Sequence, residues 1–257
     1  MTPRAKEALS KFFKLFLLLA AVIGALGWFV LDGSTTPPRV LRSRLTISVE
    51  TPEGERSGSS VSQIKISFPG GLTRAQGWGL MKRLVGEAVV VDLGPRGLLF
   101  STFERRLILS RSGGDAYNAA LTPFPQEAFR GEYPSTASAD EQYVAYLDEI
   151  SRRKPKATLK LEDVPALVRF GNREDPTTVA LVDPADLAAS FGPGVYLKRA
   201  TVEITDDPIT HGIEVRLPWL KSSRVSPTLF SQTYLRTLQK LLPVQHLRFA
   251  DFRRLPQ

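Results

Sequence analysis

The chain of 257 residues contains no cysteine and has only two histidines and two methionines. The missing thiols exclude disulfide bonds, thiolate zinc sites, cysteine nucleophiles and lipid attachment at a cysteine. Absence of cysteine also suits an oxidising compartment. The motifs of common nucleotide, hydrolase and metal sites are missing too, since there is no Walker A loop, GxGxxG, GxSxG or HExxH. The sequence therefore predicts no cofactor.

One long apolar run stands near the N-terminus. Residues 15–31 contain seventeen consecutive residues without a charge. A helix of that length rises about 26 Å, close to the bilayer core of about 30 Å, and Lys14 can snorkel to complete the span. The run is longer than a signal-peptide core of about 7 to 15 residues and ends without a small-x-small cleavage site. We therefore favour a retained transmembrane helix over a cleaved secretory signal, and whether the anchor is ever cleaved stays open.

The charges around this run predict its orientation. Residues 1–14 form a basic tail with a single acid, Glu7, against four bases, namely Arg4, Lys6, Lys11 and Lys14. The positive-inside rule places such a tail in the cytoplasm and the remainder in the periplasm. Residues 32–43 are expected to be a linker, and residues 44–257 one periplasmic domain. The net charge of +8 comes from scattered bases without interleaved aromatic residues, so we expect no nucleic-acid partner.

Residues 44–257 predict an α+β fold, with a mainly antiparallel sheet and packed helices after the transmembrane helix. Three consecutive valines, Val89, Val90 and Val91, predict a strand covered on both faces. Strands are predicted near residues 44–50, 61–68, 87–93, 98–100, 158–161, 177–182, 195–204 and 247–252. Helices are predicted after Thr73 as far as Val85, and over residues 138–152, 183–192 and 230–242. Residues 164–170 fit a helix or a strand.

The densest polar group lies within residues 203–214. It comprises four carboxylates and an imidazole, from Glu203, Asp206, Asp207, His211 and Glu214. Such a set can bind a divalent cation or serve acid–base chemistry, and we keep Asp206, Asp207, His211 and Glu214 as candidate metal ligands. The alternative is structural, because two acids before Pro208 are what a turn requires.

Two shorter motifs have a functional and a structural interpretation. Ser62 and Lys65 match the SxxK pattern of serine acyl-transferases, but catalysis needs both on one helix face and this segment is predicted to be a strand. Residues 217–220, with Trp219 at their centre, form an apolar plug that fits a domain core better than a partner site.

Residues 86–100 include GEAVVVDLG and GLLF, and residues 175–210 continue from DPTTVALVDPADL to TDDPIT. These phrases resemble uncharacterised bacterial proteins that share one N-terminal anchor. The resemblance implies an anchored domain facing the periplasm and carries over no activity and no catalytic residue. We therefore expect a non-enzymatic binding or assembly protein of the bacterial inner membrane, whose partner is another envelope or inner-membrane protein. The alternative is an envelope hydrolase, or a metal-dependent enzyme that uses residues 203–214.

Overall fold

The computed structural model describes residues 3–31, 36–71, 75, 79–105, 120–222 and 253–254. Its helices are α1 (Pro3–Leu31), α2 (Ala139–Arg153) and the single turn α3 (Ala188–Phe191). Its strands are β1 (Arg39–Thr51), β2 (Gly54–Ser67), β3 (Met81–Glu87), β4 (Val89–Asp92), β5 (Leu98–Arg105), β6 (Lys156–Thr158), β7 (Pro165–Phe170), β8 (Val179–Val182), β9 (Tyr196–Ile204) and β10 (Arg253–Arg254). The predicted helix 230–242 and the predicted strand 247–252 lie outside the described residues.

Two sheets make up the domain, which confirms the α+β class and its antiparallel pairing. A six-stranded sheet has the order β10-β3-β2-β1-β9-β6, and a four-stranded sheet has the order β4-β5-β7-β8. The strand pairings among the described residues include β1 with β9 and β4 with β5, and both are antiparallel. The chain divides into two compact units, and the larger one comprises residues 40–65 and 83–257. The sites described below lie within this larger unit.

The four-stranded sheet is buried on both faces, as the three valines predicted. Val89 and Val91 are buried on one face of β4, and Val90 packs on the other against a cluster of buried apolar residues. That cluster contains Phe100, Val168 and Phe170 of the sheet together with the apolar plug of residues 217–220. Leu217 is completely buried and Trp219 nearly so. The plug is therefore core, as predicted.

The pattern of apolar residues in β9 also marks an irregularity in the pairing of β9 with β1. In residues 195–204, Val195 and Leu197 are out of phase with the alternating Ala200, Val202 and Ile204. The register between β1 and β9 shifts at this point, because Ser48 pairs with Arg199 while its neighbour Val49 pairs with Leu197. The extra residue is a β-bulge, which moves the side chains of β9 from one face to the other.

Two helix predictions are wrong in extent or type. The helix predicted after Thr73 as far as Val85 is contradicted by β3, in which Leu84 and Val85 are buried in a strand. The helical spacing of a short apolar segment does not distinguish a helix from a buried strand, and pairing within a sheet decides the outcome. Residues 164–170, which fitted either type, form strand β7.

The helix predicted over residues 183–192 is only the turn α3. The Asp183 carboxylate accepts a hydrogen bond from the Ala185 amide at 2.8 Å, and the Asp186 carboxylate accepts one from the Ala189 amide at 3.1 Å. Two successive aspartates thus compete to cap the segment, and the helix begins only after the second. Gly192 ends it as predicted, with φ of 94°.

Helix α2 is as predicted at its start. The Ser138 hydroxyl accepts a hydrogen bond from the Glu141 amide, and the Glu141 carboxylate accepts one from the Ser138 amide, which together form a capping box. Those hydrogen bonds to Ser138 lower the pKa of Glu141. The helix ends at Lys154, which adopts φ of 47° before Pro155.

Helix α1 contains the predicted anchor within one continuous segment. Its large apolar side chains between Phe13 and Leu26 are 47% to 66% exposed. Among helices in the described ranges, none combines the length and hydropathy of a membrane span.

Candidate functional site

The predicted acidic and histidine group lies on the loop after β9 and is held by basic side chains. The Arg42 guanidinium donates to the backbone carbonyl oxygens of Asp206 and Asp207, at 3.0 and 3.3 Å. The carboxylate of Asp206 forms an ion pair with Lys154, and that of Asp207 forms one with Arg44. Each carboxylate therefore already has a cationic partner, and the pairing fixes the loop against strand β1.

The remaining candidate ligands are not gathered with these two. His211 is exposed, and Glu214 lies in the following turn of 3-10 helix, residues Ile213–Val215. Within the described ranges, no three histidine, cysteine or acidic side chains come together to hold a metal ion. The metal hypothesis for residues 203–214 stays a prediction that this geometry does not strengthen.

The SxxK pair is separated by strand geometry. Ser62 and Lys65 both lie on β2, where side chains three residues apart point to opposite faces of the sheet. Lys65 is exposed, whereas Ser62 lines a small internal cavity next to Glu87. The serine and lysine therefore do not form a catalytic pair.

The internal cavity has polar walls but little room. It is lined by the hydroxyls of Ser43, Ser60, Ser101 and Thr102 and by Glu87, which is 2% exposed. Its volume of about 40 Å³ admits a water molecule but no organic ligand. The groups around it are structural, because the Ser60 hydroxyl donates to the Glu87 backbone carbonyl at 2.7 Å and that of Thr102 donates to the Ala166 carbonyl at 3.2 Å.

A much larger hollow lies at one end of the four-stranded sheet, and we call it the rim hollow. It is lined by Asp92, Leu98, Phe100, Phe170, Asn172, Arg173 and Arg216 together with Gly94, Gly97 and Gly171. Its volume of about 510 Å³ falls within the range of ligand pockets, which is about 300 to 1,000 Å³. The rings of Phe100 and Phe170 pack edge to face, with 5.5 Å between their centroids, and form the rigid floor of the hollow.

The first wall of the rim hollow is the turn between β4 and β5. The Asp92 carboxylate accepts a hydrogen bond from the Gly94 amide at 3.0 Å. Arg96 in the same turn makes two hydrogen bonds to the Glu53 carboxylate, at 3.0 and 3.2 Å, and a third to the Phe191 carbonyl oxygen at 2.9 Å. The hydrogen bond from Arg96 lowers the pKa of Glu53 to about 2. These three hydrogen bonds, which we call the Arg96 fork, tie the turn to the segments that carry Glu53 and Phe191 and hold Asp92 in place.

The second wall is the turn after β7, which carries Asn172 and Arg173. Thr178 closes this turn, because its hydroxyl accepts from the Asn172 amide and lies 2.9 Å from the Asn172 carbonyl oxygen. The Asn172 side-chain oxygen accepts from the Glu174 amide at 3.0 Å, and the side-chain nitrogen donates no hydrogen bond to another described residue. Arg173 is exposed and makes no hydrogen bond or ion pair with any other described residue.

The third wall is Arg216, which is positioned by the segment that carries the apolar plug. The Glu87 carboxylate accepts a hydrogen bond from the Ile213 amide at 2.8 Å, and the Ile213 carbonyl accepts one from the Arg216 amide at 2.8 Å. The next residue, Leu217, is anchored in the core. The Arg216 guanidinium lies 3.4 Å from the Asp92 carboxylate and stays about half exposed. The rim hollow therefore presents two guanidinium groups and one carboxylate on three fixed segments.

Comparisons of this chain with protein-family models, curated proteins and solved structures find no match. The interpretation of the rim hollow therefore depends on its own chemistry.

Sequence reasoning missed the rim hollow because its charged groups are far apart in the chain. Asp92 and Arg216 are separated by 124 positions and meet only through sheet pairing and the plug. Two local signals were present. Asp92 ends strand β4 and Asn172 follows strand β7, and each adjoins a glycine-containing turn, which is where binding groups often lie.

Proposed function

We propose that this chain is a single-pass protein of a bacterial inner membrane with a periplasmic, non-enzymatic binding domain. Its partner is another envelope or inner-membrane protein. The observation that carries the proposal is helix α1, one continuous helix that includes the uncharged residues 15–31 and exposes apolar side chains. A well-packed domain follows it in the chain. Apolar surface of this kind is favourable only in lipid or against another protein.

Helix length and flanking charge support the anchor. The uncharged residues 15–31 of α1 rise about 26 Å, against a bilayer core of about 30 Å. Residues 15–31 fall slightly short of a full span, and Lys14 beside them is exposed and long enough to snorkel. The basic tail before the run favours a cytoplasmic N-terminus.

The chemistry of the rim hollow supports binding over catalysis. Guanidinium and amide groups bind polar ligands, and the described lining includes no hydroxyl nucleophile and no imidazole. The Asp92 carboxylate, the one acid among these lining groups, is already held by Gly94 and Arg216.

The absence of cysteine offers a direct test of topology. Single cysteines are introduced by Lys65→Cys in the domain and by Lys6→Cys in the basic tail, and cells with a permeabilised outer membrane receive a membrane-impermeant maleimide. We expect labelling at position 65 in intact cells and labelling at position 6 only after lysis. Labelling at position 6 before lysis, or complete release of the chain by alkaline carbonate, would contradict the anchored topology.

Partner capture tests the binding role. The full chain and a control chain that ends after the linker are crosslinked in intact membranes, purified in mild detergent and compared by mass spectrometry. We expect at least one envelope protein to be captured by the full chain and not by the control. If the two chains capture the same proteins, the domain has no binding role of its own.

A further inference from the structure

The described residues that line the rim hollow carry two positive charges and one negative charge. Arg216 pairs with Asp92 at 3.4 Å, and Arg173 has no ion-pair partner among the described residues. Arg173 lies on a turn that is closed by Thr178, so its backbone is fixed while its side chain is exposed. A cation without an ion-pair partner in the described residues is a group that a ligand carboxylate can engage without displacing an existing partner.

We infer that the rim hollow binds an acidic segment of the partner protein, with one carboxylate held between Arg173 and Arg216. This inference rests on the proposed function, because it names the chemistry by which that partner is recognised. Guanidinium groups and carboxylates form short, often bidentate hydrogen bonds. The net charge of +1 from the three charged groups in the lining matches one carboxylate, whereas a phosphate of about −2 charge overcompensates it.

The remaining lining suits a peptide. Three glycines, Gly94, Gly97 and Gly171, leave the rim low enough for a backbone to lie across it. The Asn172 amide nitrogen can donate to a peptide carbonyl, since the oxygen of that side chain is occupied by the Glu174 amide. The volume of about 510 Å³ accommodates several side-chain-sized groups and not only a single ion.

The test measures binding of two fluorescein-labelled probes to the full chain in detergent micelles. One probe alternates glutamate with glycine, and the other replaces each glutamate by glutamine. We expect anisotropy to detect binding of the glutamate probe and not of the glutamine probe. Arg173→Gln and Arg216→Gln should each weaken binding about tenfold, the scale of a lost charged hydrogen bond of about 1.5 kcal/mol.

Lys65→Gln is the matched control, because it removes one exposed positive charge from β2 and does not line the hollow. We expect it to change the affinity less than twofold. If all three variants weaken binding of the glutamate probe equally, the probe is attracted by the overall charge of the chain and not by the rim hollow. If the glutamate probe does not bind at all, the proposed site is wrong. Tighter binding of pyrophosphate, with the same dependence on both arginines, would reject the carboxylate assignment.

Failure of this inference is distinguishable from failure of the proposed function. Crosslinking in membranes is repeated with Arg173→Gln in the full chain. If the partner is captured equally well by wild type and variant, the domain binds elsewhere and the inference is wrong while the proposed function stands. If the glutamate probe binds as expected and membranes yield no partner, the site stands and the proposed function is wrong.

Discussion

Gly58 of β2 lies close against the backbone of β4, and its replacement by alanine gives a sharp test of the fold. An ideal Cβ atom at Gly58 of β2 would lie 1.9 Å from the Val90 carbonyl oxygen and 2.7 Å from the carbonyl carbon in β4. An ordinary van der Waals contact begins near 3.4 Å. The added methyl group therefore requires β2 and β4 to separate by roughly 1.5 Å, the difference between those distances.

The obstacle is backbone, so no side-chain rotation relieves it. Overpacking of a protein interior costs about 1 to 3 kcal/mol, and we expect Gly58→Ala to lower the free energy of unfolding by about 3 kcal/mol. For a domain of this size each kcal/mol shifts Tm by about 2 to 4 °C, so Tm should fall by about 6 to 12 °C. Thermal denaturation of the full chain in detergent micelles, followed by circular dichroism, measures the shift.

Gly79→Ala is the matched control. A Cβ atom at Gly79 meets nothing within 4 Å, and its φ is not in the left-handed region. We expect a change in Tm of less than about 2 °C, within the scale of surface substitutions. If Gly58→Ala and Gly79→Ala have the same Tm, the close approach of β2 and β4 is not a feature of the folded protein.

Three further predictions concern the segments that form the walls of the rim hollow. Leu217→Ala should lower the free energy of unfolding by about 2 to 5 kcal/mol. Val215→Ala, at a side chain that is 74% exposed, should lower it little, and urea denaturation compares the two variants. Glu87→Ala removes the acceptor of the Ile213 amide and should cost about 1 to 3 kcal/mol, and Glu87→Gln, which keeps an acceptor, should recover part of that loss in the same assay. Glu53 has a pKa lowered from 4.5 to about 2 by its arginine partner, so its contribution to stability is complete above pH 4.5 and is lost as the pH falls through about 2. Glu53→Gln should flatten the pH dependence of Tm in that window, and an unchanged profile would contradict the fork.

Structural features that depend only on residues close together in the chain could be predicted from the sequence. Helix α2 was predicted to begin near Ser138, which caps it together with Glu141, and the bulge in β9 lies where the apolar alternation breaks between Leu197 and Ala200. These signals are local, because a cap or a bulge is decided by hydrogen bonds and side-chain directions within a few residues.

Predictions failed where a local preference competed with pairing or with another local signal. Met81, Leu84 and Val85 have helical spacing, yet strand β3 pairs within the six-stranded sheet and buries the last two on its faces. In α3 the second aspartate, Asp186, accepts a hydrogen bond from the Ala189 amide, and the helix predicted from residue 183 begins only after it. Short segments of this kind have weak intrinsic preferences, and the surrounding structure decides their type.

The sequence by itself determined the class of the domain, its antiparallel pairing and the assignment of residues 217–220 to the core. Apolar periodicity and turn residues carry that information, since burial of apolar surface drives folding. The rim hollow was decided only by tertiary structure. Asp92, Arg173 and Arg216 lie on three separate turns, and no local pattern relates one to another. They form one surface because sheet pairing, the Arg96 fork and the buried plug bring these turns to the same end of the sheet.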